Sequence, residues 1–101
     1  MPELELHRDA NGNYTLRVRG EIDLANAGRL RDLLDEAVEG GATRVVVDCR
    51  ELEFLDSSGI GVLVAARQRL GVDGELVLES PPPHVRKVLE ITGVTGQISV
   101  L

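Results

Sequence analysis

Aromatic side chains are almost missing from this sequence: Tyr14 and Phe54 are the only two, and there is no tryptophan. A core must therefore be built from Val, Leu, Ile and Ala, and there is little ring surface on which nucleic-acid bases could stack. Positive charge is also scarce. Eleven Lys and Arg stand against 17 Asp and Glu, for a net charge of −6. The acidic residues are spread along the chain, so most of the surface repels a phosphate backbone, and no nucleic-acid partner is expected. A single cysteine, Cys49, excludes an internal disulfide. With no His or Cys nearby to activate it, Cys49 reads as a small hydrophobe at or near a strand end. The longest apolar run, Gly59 to Ala66, falls far short of the roughly 18 residues of a membrane span. Met1-Pro2-Glu3-Leu4-Glu5 lacks the basic start and apolar stretch of a secretory signal. These absences imply a soluble, cytoplasmic protein with no membrane partner.

What is present fits one compact unit, since 101 residues can close a single core without staples but not two. A single domain over 1–101 is expected. Residues 4–8 and 14–19 flank Asp9-Ala10-Asn11-Gly12-Asn13, and Asn-Gly between alternating segments predicts a hairpin. Leu30, Leu33, Leu34, Ala37 and Val38 repeat at spacings of three and four, an apolar stripe along a helix that Asp23 or Asn26 could cap and Gly40-Gly41 would end. Val45-Val46-Val47 marks a strand over 44–48, buried on both faces. A second helix opens at Leu55-Asp56-Ser57-Ser58-Gly59 and carries Ile60, Leu63, Val64, Ala66 and Leu70 to a stop at Gly71. A strand is predicted over 75–79, a third helix started by Ser80 and the three prolines after it, and a final strand over 97–101. Strands alternating with helices imply an α/β fold (α+β by some conventions), with a mixed, mainly parallel sheet of about five strands and helices packed against it.

The chemistry concentrates at Asp56-Ser57-Ser58-Gly59. A strand-to-helix turn presents N–H groups without intrahelical partners and the positive end of the helix dipole, which suits a phosphate. A phosphoserine there adds about −1.5 to −2 charge and three acceptor oxygens that free N–H groups could hold, with Gly59 and Gly61 leaving the approach uncrowded. The plainer reading is an N-cap made by Asp56 or Ser57. Leu55, Ile60 or Val62 could form an apolar docking patch, rimmed by Glu51, Glu53, Arg67 and Arg69. Asp23 with Asp56 could be read as a carboxylate pair, but no His or further carboxylate stands at ligand spacing, so no metal is expected. A hydrolase is not supported, because the turn is not a Gly-x-Ser-x-Gly elbow and His7 and His84 read as surface residues. The chain carries no phosphate-binding loop signature, so no cofactor is expected and any nucleotide must come from a partner.

Gly20-Glu21-Ile22-Asp23, the Val-rich strand ending at Asp48, Phe54-Leu55-Asp56-Ser57-Ser58-Gly59-Ile60-Gly61-Val62 and the element order together resemble the STAS family of bacterial anti-sigma factor antagonists. The resemblance covers nearly the whole chain. It implies a non-enzymatic switch that binds an anti-sigma factor with serine kinase activity and releases a sigma factor. Phosphorylation would turn it off and a serine phosphatase would restore it. By the same resemblance Ser57 is the phosphoacceptor, with Asp23, Asp56, Ser58, Gly59, Ile60 and Gly61 forming its surroundings and partner surface. A monomer or weak dimer is expected. The alternative is a STAS module of a transporter or signalling complex that binds without phosphorylation. Many members carry a further C-terminal helix, which is not expected in a sequence closing at Leu101 just after the last strand.

Overall fold

The computed structural model describes residues 2–101. β1 (Glu3–Arg8) and β2 (Tyr14–Ile22) form the predicted hairpin. Asp9 Oδ1 closes its turn by accepting from the N–H groups of Asn11 and Asn13, both at 2.9 Å, and Gly12 takes the positive φ of 83° that the bend requires. Then come α1 (Ala27–Glu39), β3 (Arg44–Leu55), α2 (Ser57–Leu70), β4 (Glu75–Glu79), α3 (Pro83–Ile91) and β5 (Ser99–Val100). A 3-10 turn at Val94–Gly96, which the sequence reading missed, precedes β5. The strands lie in the order β1-β2-β3-β4-β5, the first pair antiparallel and the rest parallel. This is the mixed, mainly parallel α/β sheet expected from the sequence.

Each parallel strand is added beside its predecessor in the same direction, so right-handed crossovers carry the helices to one face of the sheet. Leu6, Leu16, Val47, Leu78 and Val100 are register partners in sequence, an apolar row crossing all five strands on that face. Leu30 and Leu34 of α1, Ile60 and Leu63 of α2, and Val85 and Leu89 of α3 join the row in one core cluster. On the opposite face Glu3, Glu5, Arg17, Arg19 and Glu51 are exposed. They form cross-strand pairs: Arg19 bonds Glu51 and lies 3.5 Å from Glu3, and Arg17 lies 3.8 Å from Asp48.

Three local expectations are corrected. β3 does not stop at residue 48 but runs to Leu55, because two register shifts against β2 each insert an extra β3 residue, between the Arg17 and Arg19 pairs and between the Gly20 and Glu21 pairs. Cys49 therefore lies inside a strand and is buried. Burial, with the Asp48 charge adding to it, pushes its thiol up to about 12. At the start of α1, Asn26 holds the N-cap position without capping through its side chain. Its Oδ1 instead accepts from the Asp23 N–H at 2.9 Å while its Nδ2 donates to the Glu21 carbonyl at 3.0 Å. Finally, α3 begins at Pro83 with Pro82 as its N-cap. Ser80, with a φ of 54° and its N–H bonded to the Leu101 carbonyl, makes the bend out of β4 rather than the cap.

Asp48 is the one buried charged residue among those described. The Arg50 guanidinium grips it through Nε at 3.1 Å and Nη2 at 2.8 Å and holds its carboxyl below the ordinary 3.8, against the opposing cost of burial. The folded-state value is depressed, so this contribution to stability is complete above about pH 4 and is lost as the pH falls through the lowered value. Asp48→Asn is expected to cost about 1–2 kcal/mol at pH 7, the size of a charged hydrogen bond discounted for an exposed Arg50. It should also flatten the loss of stability below pH 4. Urea titrations at several pH values measure both, and parallel acid limbs in the two proteins would remove Asp48 from the account.

Candidate functional site

The carboxyl ends of β2 and β3 leave the sheet side by side. Ile22 and Leu55 are register partners, and the Asp56 N–H donates to the Ile22 carbonyl at 3.2 Å, extending the pairing by one residue. Asp23 and Asp56 therefore start two neighbouring loops at one edge, the place where open parallel sheets commonly present their binding residues. The topology thus brings together Asp23 and the Asp56-Ser57-Ser58-Gly59 turn, 33 residues apart in the chain between the two aspartates.

Asp56 is the N-cap of α2. Its extended backbone (φ −98°, ψ −175°) aims Oδ1 at the first turn, where it accepts from the N–H of Ser58 at 2.9 Å and of Gly59 at 3.3 Å. Its carbonyl takes the Ile60 N–H at 3.1 Å. The sequence expectation of free N–H groups around Ser57 is thereby corrected: of the first-turn amides, only that of Ser57 lacks a partner among the described residues. Ser57 is the first helical residue and is exposed; Ser58 is half-buried. No acidic residue stands in the first turn of α2, so a negative charge arriving on Ser57 would meet the helix dipole with only Asp56 beside it.

Asp23 is half-buried and tightly laced. Its Oδ1 accepts from the Ala25 N–H at 3.0 Å and its carbonyl from Ala27 at 2.8 Å, so the side chain stabilises the loop and does not cap α1. A cavity of about 400 Å³ opens beside it, lined in part by Gly20, Glu21, Asp23, Asn26, Arg29 and Glu53.

The two glycines of the motif do different things. Gly59 is buried, and a Cβ there would stand 2.4 Å from Leu55 Cδ1 and 2.8 Å from Ile22 Cγ2, so the missing side chain seats α2 on the strand ends. Only Gly61 is open: it is exposed, and a Cβ would meet nothing within 4 Å. The predicted docking patch is likewise revised. Leu55 and Ile60 are buried in the core and Val62 is half-buried against it. The apolar groups that reach solvent near this edge are Leu24, 81% exposed, and Phe54, 46% exposed and paired with Glu21. Neither belongs to the docking patch expected from sequence. Leu24, the one large apolar residue in the Asp23-Leu24-Ala25-Asn26 loop, was the signal available.

The expected charged rim is engaged elsewhere: Glu51 pairs with Arg19, Arg69 with Asp35, and Arg67 donates to the Gly71 carbonyl at 2.9 Å. His84 binds the Glu53 carbonyl at 2.5 Å through Nε2, and His7 lies 3.5 Å from Glu5. Among the described residues no group of three or more His, Cys, Asp or Glu is placed to hold a metal, and no helix is long and apolar enough to cross a membrane.

The family model described as "Mlab, STAS domain" matches residues 6–101. A putative anti-sigma factor antagonist, BtrV of Bordetella bronchiseptica, is 43% identical over 77 residues, which are 75% of this chain and 66% of that protein. The anti-sigma-F factor antagonist RsfB of Mycobacterium tuberculosis is 38% identical over 86 residues, 85% of this chain and 70% of the relative. The chain thus spans about two thirds of the length of these relatives. Among solved structures, the Bacillus cell fate determinant SpoIIAA in its phosphorylated form superposes with a TM-score of 0.77 at 26% identity, covering 98% of this chain and 91% of that one.

Proposed function

The chain belongs to the STAS domain family of anti-sigma factor antagonists, and from that premise we propose that it binds a kinase-type anti-sigma factor and is switched off by phosphorylation of Ser57. The observation that carries this reading is the exposed Ser57 at the first position of α2, held out by the Asp56 cap and set beside Asp23 by the Ile22–Leu55 pairing. A relative of the same fold solved in a phosphorylated form supports it. In the unmodified protein Ser57 and Gly61 offer an uncharged stretch of α2, with Leu24 and Asp23 on the neighbouring loop as points of recognition. Ser58, Gly59 and Ile60 act indirectly by fixing the helix start. Transfer of phosphate from the partner's ATP places a dianion in that surface, and the partner leaves; a serine phosphatase reverses the change. The protein does no chemistry of its own in this cycle, works in the cytoplasm as one domain, and needs no second copy of itself.

The test is incubation with ATP and each candidate kinase-type anti-sigma factor from the same genome, followed by mass spectrometry, in parallel with Ser57→Ala. One phosphate on Ser57, absent from the variant, is the expected result. One specific feature favours a second reading, a module that binds without modification: Asp56 already satisfies Ser58 and Gly59, so the fold itself requires no phosphate. Stable binding with Ser57 unmodified would select that reading.

A further inference from the structure

We propose that phosphorylation of Ser57 acts through Asp56: the phosphate displaces the Asp56 carboxylate from the start of α2 and turns it toward the partner surface. The inference rests on Ser57 as the modified residue and adds how the modification is transmitted. Asp56 Oδ1 holds the Ser58 N–H at 2.9 Å and the Gly59 N–H at 3.3 Å, the two donors a phosphate on the adjacent residue would seek in addition to the free N–H of Ser57 itself. The Asp56 backbone cannot yield, since its N–H is bonded to Ile22 and its carbonyl to Ile60. Only the side chain can move. A phosphate near −2 and a carboxylate at −1 cannot share two N–H groups without strong like-charge repulsion, and the phosphate is the stronger acceptor. Gly59 sets the ceiling on other adjustments, because its packing against Leu55 and Ile22 leaves the helix start no room to slide inward. Phosphorylation therefore exchanges one cap for another and presents an additional carboxylate at the edge already occupied by Asp23. Asp56 is a positioning residue in the unmodified state and part of the signal in the modified one.

The experiment installs phosphoserine at position 57 by genetic encoding, so that it needs no kinase and its failure is separable from failure of the kinase assay. In amide NMR spectra of the full chain, the Ser58 and Gly59 resonances are expected to shift on phosphorylation and to titrate with the phosphate near pH 6. In thermal melts, Asp56→Ala is expected to lower Tm by about 5 °C in the unphosphorylated protein, the usual effect of losing an N-cap, and to leave the phosphorylated protein unchanged or stabilised. Ser58 and Gly59 resonances that ignore the phosphate, or an equal cost of Asp56→Ala in the two forms, would overturn the proposal. Should the variant fail to fold, the resonances of the protein with its native Asp56 still decide it.

Discussion

Ser57→Asp is expected to weaken binding to the cognate anti-sigma factor by about 30-fold or more while leaving the fold intact or firmer. The loss corresponds to about 2 kcal/mol, the scale of a charge desolvated in an interface without a partner. The gain has a separate origin: a carboxylate in the first turn of a helix faces the positive end of the dipole, worth about 0.3–1 kcal/mol. Because α2 has no acidic residue in its first turn, that favourable position is vacant. The two effects have opposite signs, so lost binding cannot be put down to unfolding. Titration calorimetry against the partner and a urea melt of the same sample measure them together. Retained affinity in a stable Ser57→Asp protein would remove Ser57 from the interface.

The second large effect concerns two glycines only two residues apart. Gly59→Ala places a methyl 2.4 Å from Leu55 Cδ1 and 2.8 Å from Ile22 Cγ2, both in the core, and is expected to cost about 1–3 kcal/mol even after the better helix propensity of alanine is credited. Gly61→Ala meets nothing within 4 Å, and the helix gains up to about 1 kcal/mol. Opposite shifts in Tm are therefore expected from the same chemical change. Gly61 also lies four residues after Ser57, on the same helix face, so the stabilising variant should bind the anti-sigma factor less well. A Gly61→Ala protein that is both firmer and fully active would show that no partner approaches this face closely.

The order of elements was legible because periodicity survives wherever one face of an element is wet. Tyr14, Leu16 and Val18 alternate cleanly with Thr15, Arg17 and Arg19, and β2 could be read directly. The second half of β3 could not. Its buried residues, Cys49, Leu52 and Leu55, recur every third position because two bulges reset the alternation, and a period of three mimics neither a strand nor a long helix. The same bulges turn Leu55 inward and leave Phe54 exposed, so the apolar surface expected at Leu55 is covered. The start of α2 was readable, since an Asp before a Ser-Ser-Gly start is a local signal. The side chain of Asn26 was not, because its bonds to Asp23 and Glu21 depend on a loop whose path the sequence does not fix.

The strictly sequential strand order has a consequence for how the molecule comes into being. No strand must be threaded between two that already stand side by side, so each new unit closes only the loop that has just been made. The hairpin of β1 and β2 supplies an edge, and each later strand and its helix dock onto the edge left by the one before. Assembly can thus proceed in the direction of synthesis. The edge bearing Asp23 and Ser57 is complete once β3 and the first turn of α2 have emerged, before the last third of the chain exists.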